Sequence, residues 1–272
     1  MLDRVVMREP HPEVHPPRAE LLVFLRNLYV QQRALLPANP YLQEHSTLDW
    51  TAHQVATFRW YAQYLPEHGR ILDWGCYHAP DSSLLAAAFP GRFLLEACDV
   101  GSRDRYEVFH NQSGVRYAEL THPWQLPYED GTFDVVISSG ALEHVPSDYL
   151  SLGEVYRVLK ERGRLIITSL PNRESRDERR LRRQGLGHRR LYDRGEVARM
   201  LPHFGFAPVT PVLYQTTLFW ETKLIWLGAM PKSNTRIERR FIQLIEGLHR
   251  LYPIHRKMAP TFCCIVEKVA AL

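Results

Sequence analysis

The sequence predicts an α/β fold in which helices cover both faces of a doubly wound, seven-stranded and mostly parallel sheet. The stretch from Gly69 to Phe89 combines a short apolar run, a break at Gly75 and an amphipathic helix. That order is the strand–turn–helix unit of open parallel sheets. A second run, Phe133 to Ser138, contains consecutive β-branched residues and suits a strand that is buried on both faces.

The composition sets limits on the class of protein. The 272 residues are 45% hydrophobic, which is enough for one α/β domain with additions and an ordinary core. A net charge of +4 is too small to indicate nucleic-acid binding by itself. The four cysteines lack C-x-x-C spacing, so we expect buried, reduced thiols in a cytoplasmic protein.

Neither end of the chain indicates a membrane or secretion segment. The first residues are charged rather than apolar, so the sequence predicts no signal peptide. No stretch reaches the roughly 20 apolar residues that a membrane span needs. Residues 1–18 are rich in proline and are predicted to be an irregular tail.

Residues 19–66 are predicted to form an N-terminal helical cap. Apolar residues recur at helical spacing from Ala19 to Leu36 and again from Trp50 to Leu65, and prolines follow both segments. The remaining residues, 67–272, form the predicted main domain. The cap either covers a sheet edge or contributes to a ligand pocket.

The other elements of the main domain follow from local patterns. Ser82 or Ser83 is predicted to cap the first helix. A capping box at Asp193 and Glu196 predicts the start of a later helix. The remaining strands are expected at 93–99, 115–118, 164–170, 209–214 and 261–269.

The second strand ends in an acidic residue, Asp99, 26 positions after Asp73 (99 − 73). A carboxylate at that edge of a parallel sheet can accept hydrogen bonds from both hydroxyls of a ribose. The helix that follows the first strand offers unpaired N–H groups at the same edge. The sequence therefore predicts a cofactor that contains a nucleoside.

An insertion of about 215–260 lies between the last two predicted strands. It has room for two helices that carry many large apolar residues, including Trp220. These residues can form a lid over an apolar substrate pocket, an oligomer interface, a peripheral membrane contact, or plain packing against the sheet edge.

Four motifs resemble those of class I S-adenosylmethionine (SAM) dependent methyltransferases. Leu72–Cys76 is similar to the first motif, L-D-x-G-C-G-x-G, and 126–136, 141–145 and 154–167 are similar to three later ones in the same order. The ubiquinone and menaquinone methyltransferases are the subfamily that the chain resembles. The resemblance covers roughly 69–172 and implies a Rossmann-like fold with an antiparallel last strand. It also implies SAM as cofactor, S-adenosylhomocysteine as product and no metal.

The resemblance implies a set of cofactor contacts. In relatives the first loop borders the methionine end of SAM, the acidic residue binds the ribose, the third strand borders the adenine, and the end of the fourth strand borders the transferred methyl. A purely structural role stays open for Asp73, which can cap the turn, and for Glu119, which can be a surface residue. The implied contacts are Asp73, Gly75, Cys76, Tyr77, Asp99, Val100, Glu119, Leu120, Ser139 and Gly140.

His144 is the candidate catalytic base, because a free imidazole has a pKa of about 6.5 and can accept a proton near neutrality. The alternative is a histidine that only tethers its loop. Tyr77 and His78 are further candidates. His188 and Tyr192 flank the loop after the fifth strand, which faces the substrate in relatives, and with Trp220 they are the candidate substrate contacts.

The chain departs from the family at two glycines, which are Tyr77 and Ala79 here. Glycine allows close backbone approach and positive φ. The departure predicts either a loop with a different path, in which Tyr77 lines the pocket, or a protein that binds SAM weakly or no longer binds it.

A segment with nine arginines, Arg173 to Arg194, follows the fifth strand. It is either a solvated surface with internal ion pairs or a site for a phosphate- or carboxylate-bearing substrate. The hypothesis is a SAM-dependent methyltransferase acting at oxygen on a small-molecule or lipid-like acceptor that can be anionic. The alternatives are an RNA or protein methyltransferase using this segment, although nucleic acid is not expected, and a non-catalytic methyltransferase-like subunit.

Overall fold

The sheet has eight strands and mixed direction. The computed structural model describes residues 16–101, 107–185, 187–215, 257 and 259–269. Five strands run parallel in the order β3-β2-β1-β4-β5, and β8, antiparallel to β5, also pairs with β6 and β7. The strands are β1 (Gly69–Trp74), β2 (Phe93–Asp99), β3 (Arg116–Glu119), β4 (Phe133–Ser139), β5 (Leu159–Pro171), β6 (Phe206–Pro208), β7 (Leu213–Gln215) and β8 (Thr261–Lys268).

Helices cover both faces of this sheet, as the sequence predicts, so the α/β, Rossmann-like fold class with an antiparallel last strand is confirmed. The strand order reverses between β1 and β4, which is the point where open α/β sheets bind ligands. The helices are α1 (Arg18–Leu35), α2 (Pro40–His45), α3 (Leu48–Ala62), α4 (Pro80–Ala88), α5 (Glu107–Ser113), α6 (Asp148–Val158), α7 (Arg176–Arg183) and α8 (Arg194–His203).

The predicted sixth strand, 209–214, is wrong, because a break divides that region into β6 and β7. The N–H groups of Val209 and Thr210 both donate to the carbonyl of Ile265, at 2.9 and 3.0 Å. In return the Ile265 N–H donates to the Thr210 hydroxyl at 2.9 Å, so a side chain replaces the ladder acceptor. Pro211 has no N–H to offer.

The predicted cap of α4 is also wrong. The helix begins at Pro80, a favoured first helical residue, and Ala79 precedes it as the N-cap. Ser82 therefore lies inside the helix, where its N–H and hydroxyl both donate to Asp73, at 3.2 and 2.7 Å. The capping box of Asp193 and Glu196 is confirmed at the start of α8.

Two apolar cores lie on opposite faces of the sheet. Leu72 and Trp74 of β1 face a core shared with α6 and α8. Ile71, the residue before Leu72, faces a core shared with the N-terminal helices, as the two-residue period of a strand requires. Each fully buried large apolar side chain there contributes about 1.5–3 kcal/mol. The boundary predicted at residue 66 thus separates elements that share one core.

A buried polar network joins α3, α4 and β1. Tyr61 donates its hydroxyl proton to the Asp81 carboxylate at 2.6 Å, and Asp73 accepts the two bonds from Ser82. Asp73 is 2% exposed and Asp81 is 8% exposed. Burial raises the pKa of both carboxyls, and the charge of Asp81 raises the pKa of Asp73 further.

The prediction of buried thiols is confirmed: Cys76, Cys98, Cys263 and Cys264 are buried and form no disulfide. Among the described residues, no helix combines the length and the apolar character that crossing a bilayer requires. The two helices predicted for the insertion, with Trp220, lie outside the described residues, and so does most of the predicted tail.

We expect Asp81→Asn to stabilise the protein more at pH 8 than at pH 5. A carboxyl whose folded-state pKa is raised stabilises the fold fully below its unfolded pKa of about 4, and this stabilisation is lost as the pH rises. Without the Asp81 carboxyl, this loss of stability at high pH no longer occurs. The amide oxygen of Asn still accepts the hydrogen bond from Tyr61. Thermal melting at both pH values, with the exposed Glu44→Gln as control, should show a relative gain of about 1 kcal/mol per pKa unit relieved. An equal effect at both pH values would contradict the prediction.

Candidate functional site

The loop after β1 keeps a glycine-like backbone without the glycines. Gly75, Tyr77 and Ala79 have φ values of 67°, 47° and 57°, all in the left-handed region. For Tyr77 and Ala79 this conformation costs roughly 1–2 kcal/mol each. At Gly75 no side chain fits, because a Cβ there would lie 2.4 Å from the Cβ of Ala141. The loop therefore keeps the positive φ values that glycines would supply, and Tyr77 and Ala79 are strained as a result.

Asp99 holds this loop at the end of β2. Its two carboxylate oxygens accept the N–H of Tyr77 at 2.7 Å and the N–H of Val100 at 2.6 Å. Each oxygen keeps a second lone pair for a ligand hydroxyl. The Asp99 carbonyl also accepts the N–H of Leu120, at 2.7 Å, which brings the end of β3 to the same place.

The ring of Tyr77 contacts the N-terminal helices. It meets Tyr41 of α2 edge-on with ring centroids 4.5 Å apart, and its hydroxyl accepts a bond from Asn39 at 3.4 Å. His78 is fully buried beside Tyr41 and Phe109. Burial lowers the pKa of His78 to about 3, so this imidazole is neutral. The cap and the first loop are thus packed together through aromatic rings.

The end of β4 reaches the same edge of the sheet. Ser139 accepts a hydrogen bond from the Thr168 hydroxyl at 2.8 Å, and the Gly140 N–H donates to the Thr168 carbonyl at 3.0 Å. Of the other implied contacts, Cys76 is buried, Leu120 is half-buried, and Val100 and Glu119 are exposed.

Three side chains after β4 and β5 form what we call the Glu143 cluster: Glu143, His144 and His188. Each offers one ligand atom, and these atoms all lie within 4.8 Å of one another. Glu143 Oε1 lies 3.8 Å from His144 Nε2, and the two imidazole rings are 5.6 Å apart. The structure thus brings the predicted base His144 and the predicted substrate contact His188 together.

The Glu143 carboxyl is buried, and one of its oxygens accepts no hydrogen bond within the described part of the chain. It is 5% exposed, and among the described residues no group donates a hydrogen bond to its Oε2 atom. Burial raises the pKa of Glu143 to about 7. Burial and the neighbouring His188 lower the pKa of His144, whose side chain is nevertheless 67% exposed. His144 is therefore the solvent-accessible member of the cluster and is neutral at pH 7.

Glu178 orients His188 and was not among the predicted site residues. Its carboxylate, 4% exposed, accepts the backbone N–H of His188 at 2.7 Å and the ring Nδ1–H at 2.9 Å. That assigns the proton to Nδ1 and leaves the Nε2 lone pair available. The sequence signal was the pair Ser175 and Glu178, an S-x-x-E helix start that places this glutamate in the first turn of α7.

Tyr192 lies in the core and does not line an open surface. It is 1% exposed, and its hydroxyl donates to the Leu142 carbonyl or the Asp148 carboxylate, at 3.3 and 3.2 Å. Contact between Tyr192 and a substrate stays a prediction. The position of Tyr192 holds the loop that carries Glu143 and His144.

Gln215 was also missed, because a lone glutamine carries no motif. Its amide oxygen accepts the N–H of Ser169 in β5, at 2.8 Å. Its amide nitrogen lies 2.8 Å from the Thr57 hydroxyl and 3.1 Å from His53 Nε2, both on α3. Gln215 therefore joins the start of the insertion to the cap and to β5.

The nine arginines divide into two groups. Arg173 pairs with Glu196, Arg190 donates to three carbonyls of the loop at 142–146, and Arg194 donates to the Val212 carbonyl. The other six are exposed on and after α7, the helix that carries Glu178: Arg176, Arg179, Arg180, Arg182, Arg183 and Arg189.

A separate open cavity of about 420 Å³ lies at the opposite, amino-terminal edge of the sheet. Its cationic residues already have partners: Arg70 pairs with Glu96 and Lys160 pairs with Asp134. Because ligands of open α/β sheets bind at the carboxyl ends of the strands, we place the site at the first loop and the Glu143 cluster.

Comparisons with known proteins agree with the fold. A family model described as methyltransferase domain matches residues 49–210, more than half of the chain. A demethylmenaquinone methyltransferase of Streptomyces avermitilis is 37% identical over 62 residues, which are 20% of this chain and 27% of that protein. The match thus spans about a quarter of that relative's length.

Solved structures share the fold at low sequence identity. A SAM-dependent methyltransferase of Thermotoga maritima has a TM-score of 0.55 at 16% identity, covering 90% of this chain and all of that one. A methyltransferase of Haloferax volcanii, in complex with the Trm112 methyltransferase activator, has a TM-score of 0.56 at 11% identity, covering 91% and 98%. With the family match, the chain belongs to the methyltransferase-domain family, and it has the fold of class I SAM-dependent methyltransferases.

Proposed function

We propose that the protein transfers a methyl group from SAM to a hydroxyl oxygen of a small-molecule or lipid-like acceptor. The observation that carries this proposal is the Glu143 cluster, which directly follows Ser139 and Gly140 at the end of β4. A Cβ on Gly140 would lie 3.6 Å from Glu143 Oε1, and His144 interacts electrostatically with Asp99. Proton-accepting groups therefore stand beside the residues proposed to border the methyl group.

The residues of the first loop fit the cofactor. Asp99 keeps one free lone pair on each carboxylate oxygen, and Gly75 packs so closely against Ala141 that this part of the loop carries no side chain. We propose that Asp99 binds the ribose hydroxyls and that the backbone at 75–77 holds the methionine end. When bound, SAM supplies a methyl group activated by its sulfonium and leaves S-adenosylhomocysteine as product. The positive φ values of Tyr77 and Ala79 argue against the non-catalytic alternative.

Positioning is the main contribution that we assign to the protein. Holding donor and acceptor in line can lower a barrier by roughly 7–11 kcal/mol. A hydroxyl acceptor must also lose its proton, and His144 is the proposed base because its imidazole is exposed and neutral at pH 7. A thiol or carbon acceptor would make less use of such a cluster.

The surroundings favour an acceptor that is partly apolar and carries an anionic group. The exposed arginines of α7 lie on the element that positions His188, where they can bind a phosphate or carboxylate. The relative from Streptomyces avermitilis is named for demethylmenaquinone, which supports a lipid-like acceptor. We place the reaction in the cytoplasm, where four buried cysteines outside disulfides stay reduced.

The second candidate is methylation of RNA or protein. Two observations favour it: the six exposed arginines beside the cluster, and the Haloferax volcanii structure in which a methyltransferase is bound to an activator protein. The exposed arginines are not interleaved with stacked aromatic rings, which single-stranded RNA sites use. We therefore rank this candidate second.

We expect Asp99→Ala to weaken the binding of SAM and S-adenosylhomocysteine about 10- to 100-fold, because hydrogen bonds to a charged group contribute about 1.5–3 kcal/mol. Isothermal titration calorimetry measures both affinities. Asp99→Asn keeps one acceptor oxygen, so its affinity for both ligands should fall between those of the wild type and Asp99→Ala. This comparison separates loss of the ligand contact from disruption of the loop. The exposed Glu129→Gln is the matched control and should bind like the wild type. Unchanged affinity in Asp99→Ala would refute the ribose assignment.

The acceptor class can be tested with SAM that carries a radiolabelled methyl group. We expect the protein to label small molecules extracted from its source cells, with the label stable to the mild base that cleaves methyl esters, as a methyl ether requires. Label in the RNA or protein fraction instead would favour the second candidate. SAM binding without labelling of any fraction would support a non-catalytic subunit.

A further inference from the structure

The Glu143 cluster contains a donor set that suits a metal ion better than a lone general base. Two imidazoles and one carboxylate converge there, with their ligand atoms within 4.8 Å of one another. This combination, with positions left open, is typical of divalent transition-metal sites. The family resemblance in the sequence implies no metal, and Glu143 and His188, 45 positions apart (188 − 143), form no short metal-binding motif.

The buried carboxylate is the second, independent observation. Glu143 Oε2 lies beneath the surface, and within the described part of the chain no donor reaches it. A buried carboxylate without a partner is costly, and such groups are normally paired or coordinate a metal. His144 Nε2, at 3.8 Å from the other carboxylate oxygen, is too distant for a hydrogen bond. A cation between these groups would supply the missing partner.

Glu178 is not one of the three proposed ligands, but it fixes the ring of His188. It accepts the Nδ1–H of His188 at 2.9 Å and the backbone N–H at 2.7 Å, so the ring is fixed and Nε2 is free to ligate. A carboxylate behind a ligating histidine is the usual second layer of a metal site. As a general-base device the same contact would serve His188 and not His144, the more exposed imidazole.

The separations suit the size of a transition-metal site. Ligand atoms about 2.1 Å from a common ion lie at most about 4.2 Å apart. The largest separation in the cluster is 4.8 Å or less. Since the His144 side chain is 67% exposed, its rotation can close that difference without moving the core.

We propose that Glu143, His144 and His188 bind one divalent transition-metal ion of the zinc, cobalt or iron(II) class, with Glu178 as the positioning residue of His188. Imidazole ligands favour these ions over Mg²⁺, which prefers oxygen. Resting on the proposed function, the ion would lower the pKa of an acceptor hydroxyl bound beside it. His144 is then a ligand and not the base.

The test is a titration of chelator-treated, full-length protein with Co²⁺, followed by its visible absorption. We expect one Co²⁺ per chain, displaced by Zn²⁺ and not by an equal concentration of Mg²⁺. His188→Gln and Glu143→Gln should each weaken binding at least 10-fold. Glu178→Gln should weaken it about 10-fold and shift the spectrum, since loss of such second-layer carboxylates costs 10- to 100-fold in metal affinity. The exposed His203→Ala is the matched control and should bind like the wild type.

Other results would overturn the proposal. Equal Co²⁺ affinity in the wild type and in the combined Glu143→Gln and His188→Gln variant, with both folded by circular dichroism, excludes this site. Displacement by Mg²⁺ would contradict ligation by imidazole. Wild-type protein that binds SAM but no Co²⁺ would refute the metal site alone, and protein that binds Co²⁺ but not SAM would refute the cofactor site alone, so the two failures give different results.

Discussion

The hydrogen bond from the Tyr77 N–H to the Asp99 carboxylate, 2.7 Å long, is the interaction on which the arrangement of the site depends. It connects the loop after β1 to the end of β2 and supports a backbone that Tyr77 and Ala79 adopt only under strain. The contact between Gly75 and Ala141 then fixes the loop after β4 against the same place. The candidate cofactor residues and the Glu143 cluster are therefore positioned by one small region of backbone.

The elements set by local pattern were predicted well from the sequence, and those set by tertiary contacts were not. The β-branched run of β4 and the capping box of α8 carry their structure in neighbouring residues, so their prediction was correct. The region after Pro208 needed knowledge of Ile265, 57 positions away (265 − 208), before its division into two strands could be seen. Ser82 had the residue type of a cap, but its real partner is Asp73 of the preceding strand.

The residues of the candidate site show the same difference between local patterns and tertiary contacts. The motifs identified Asp73, Gly75 and Asp99, because these residues lie at strand ends that the sequence already marks. Burial decided the rest: Tyr192 has the chemistry of a substrate contact but is 1% exposed, and Glu178 has the composition of a surface residue but is 4% exposed. A pattern of residue types does not report which side of the surface a side chain occupies.

The amide of Gln215 connects β5, the start of the insertion and α3. It accepts the backbone N–H of Ser169 in β5 and lies against His53 and Thr57 of α3, so distant parts of the chain meet at one side chain at the start of the insertion. Replacing Gln215 removes this hydrogen-bond partner from Ser169, His53 and Thr57 together. In evolution they should covary: a homologue that replaces the glutamine should carry compensating replacements at the positions of His53 and Thr57.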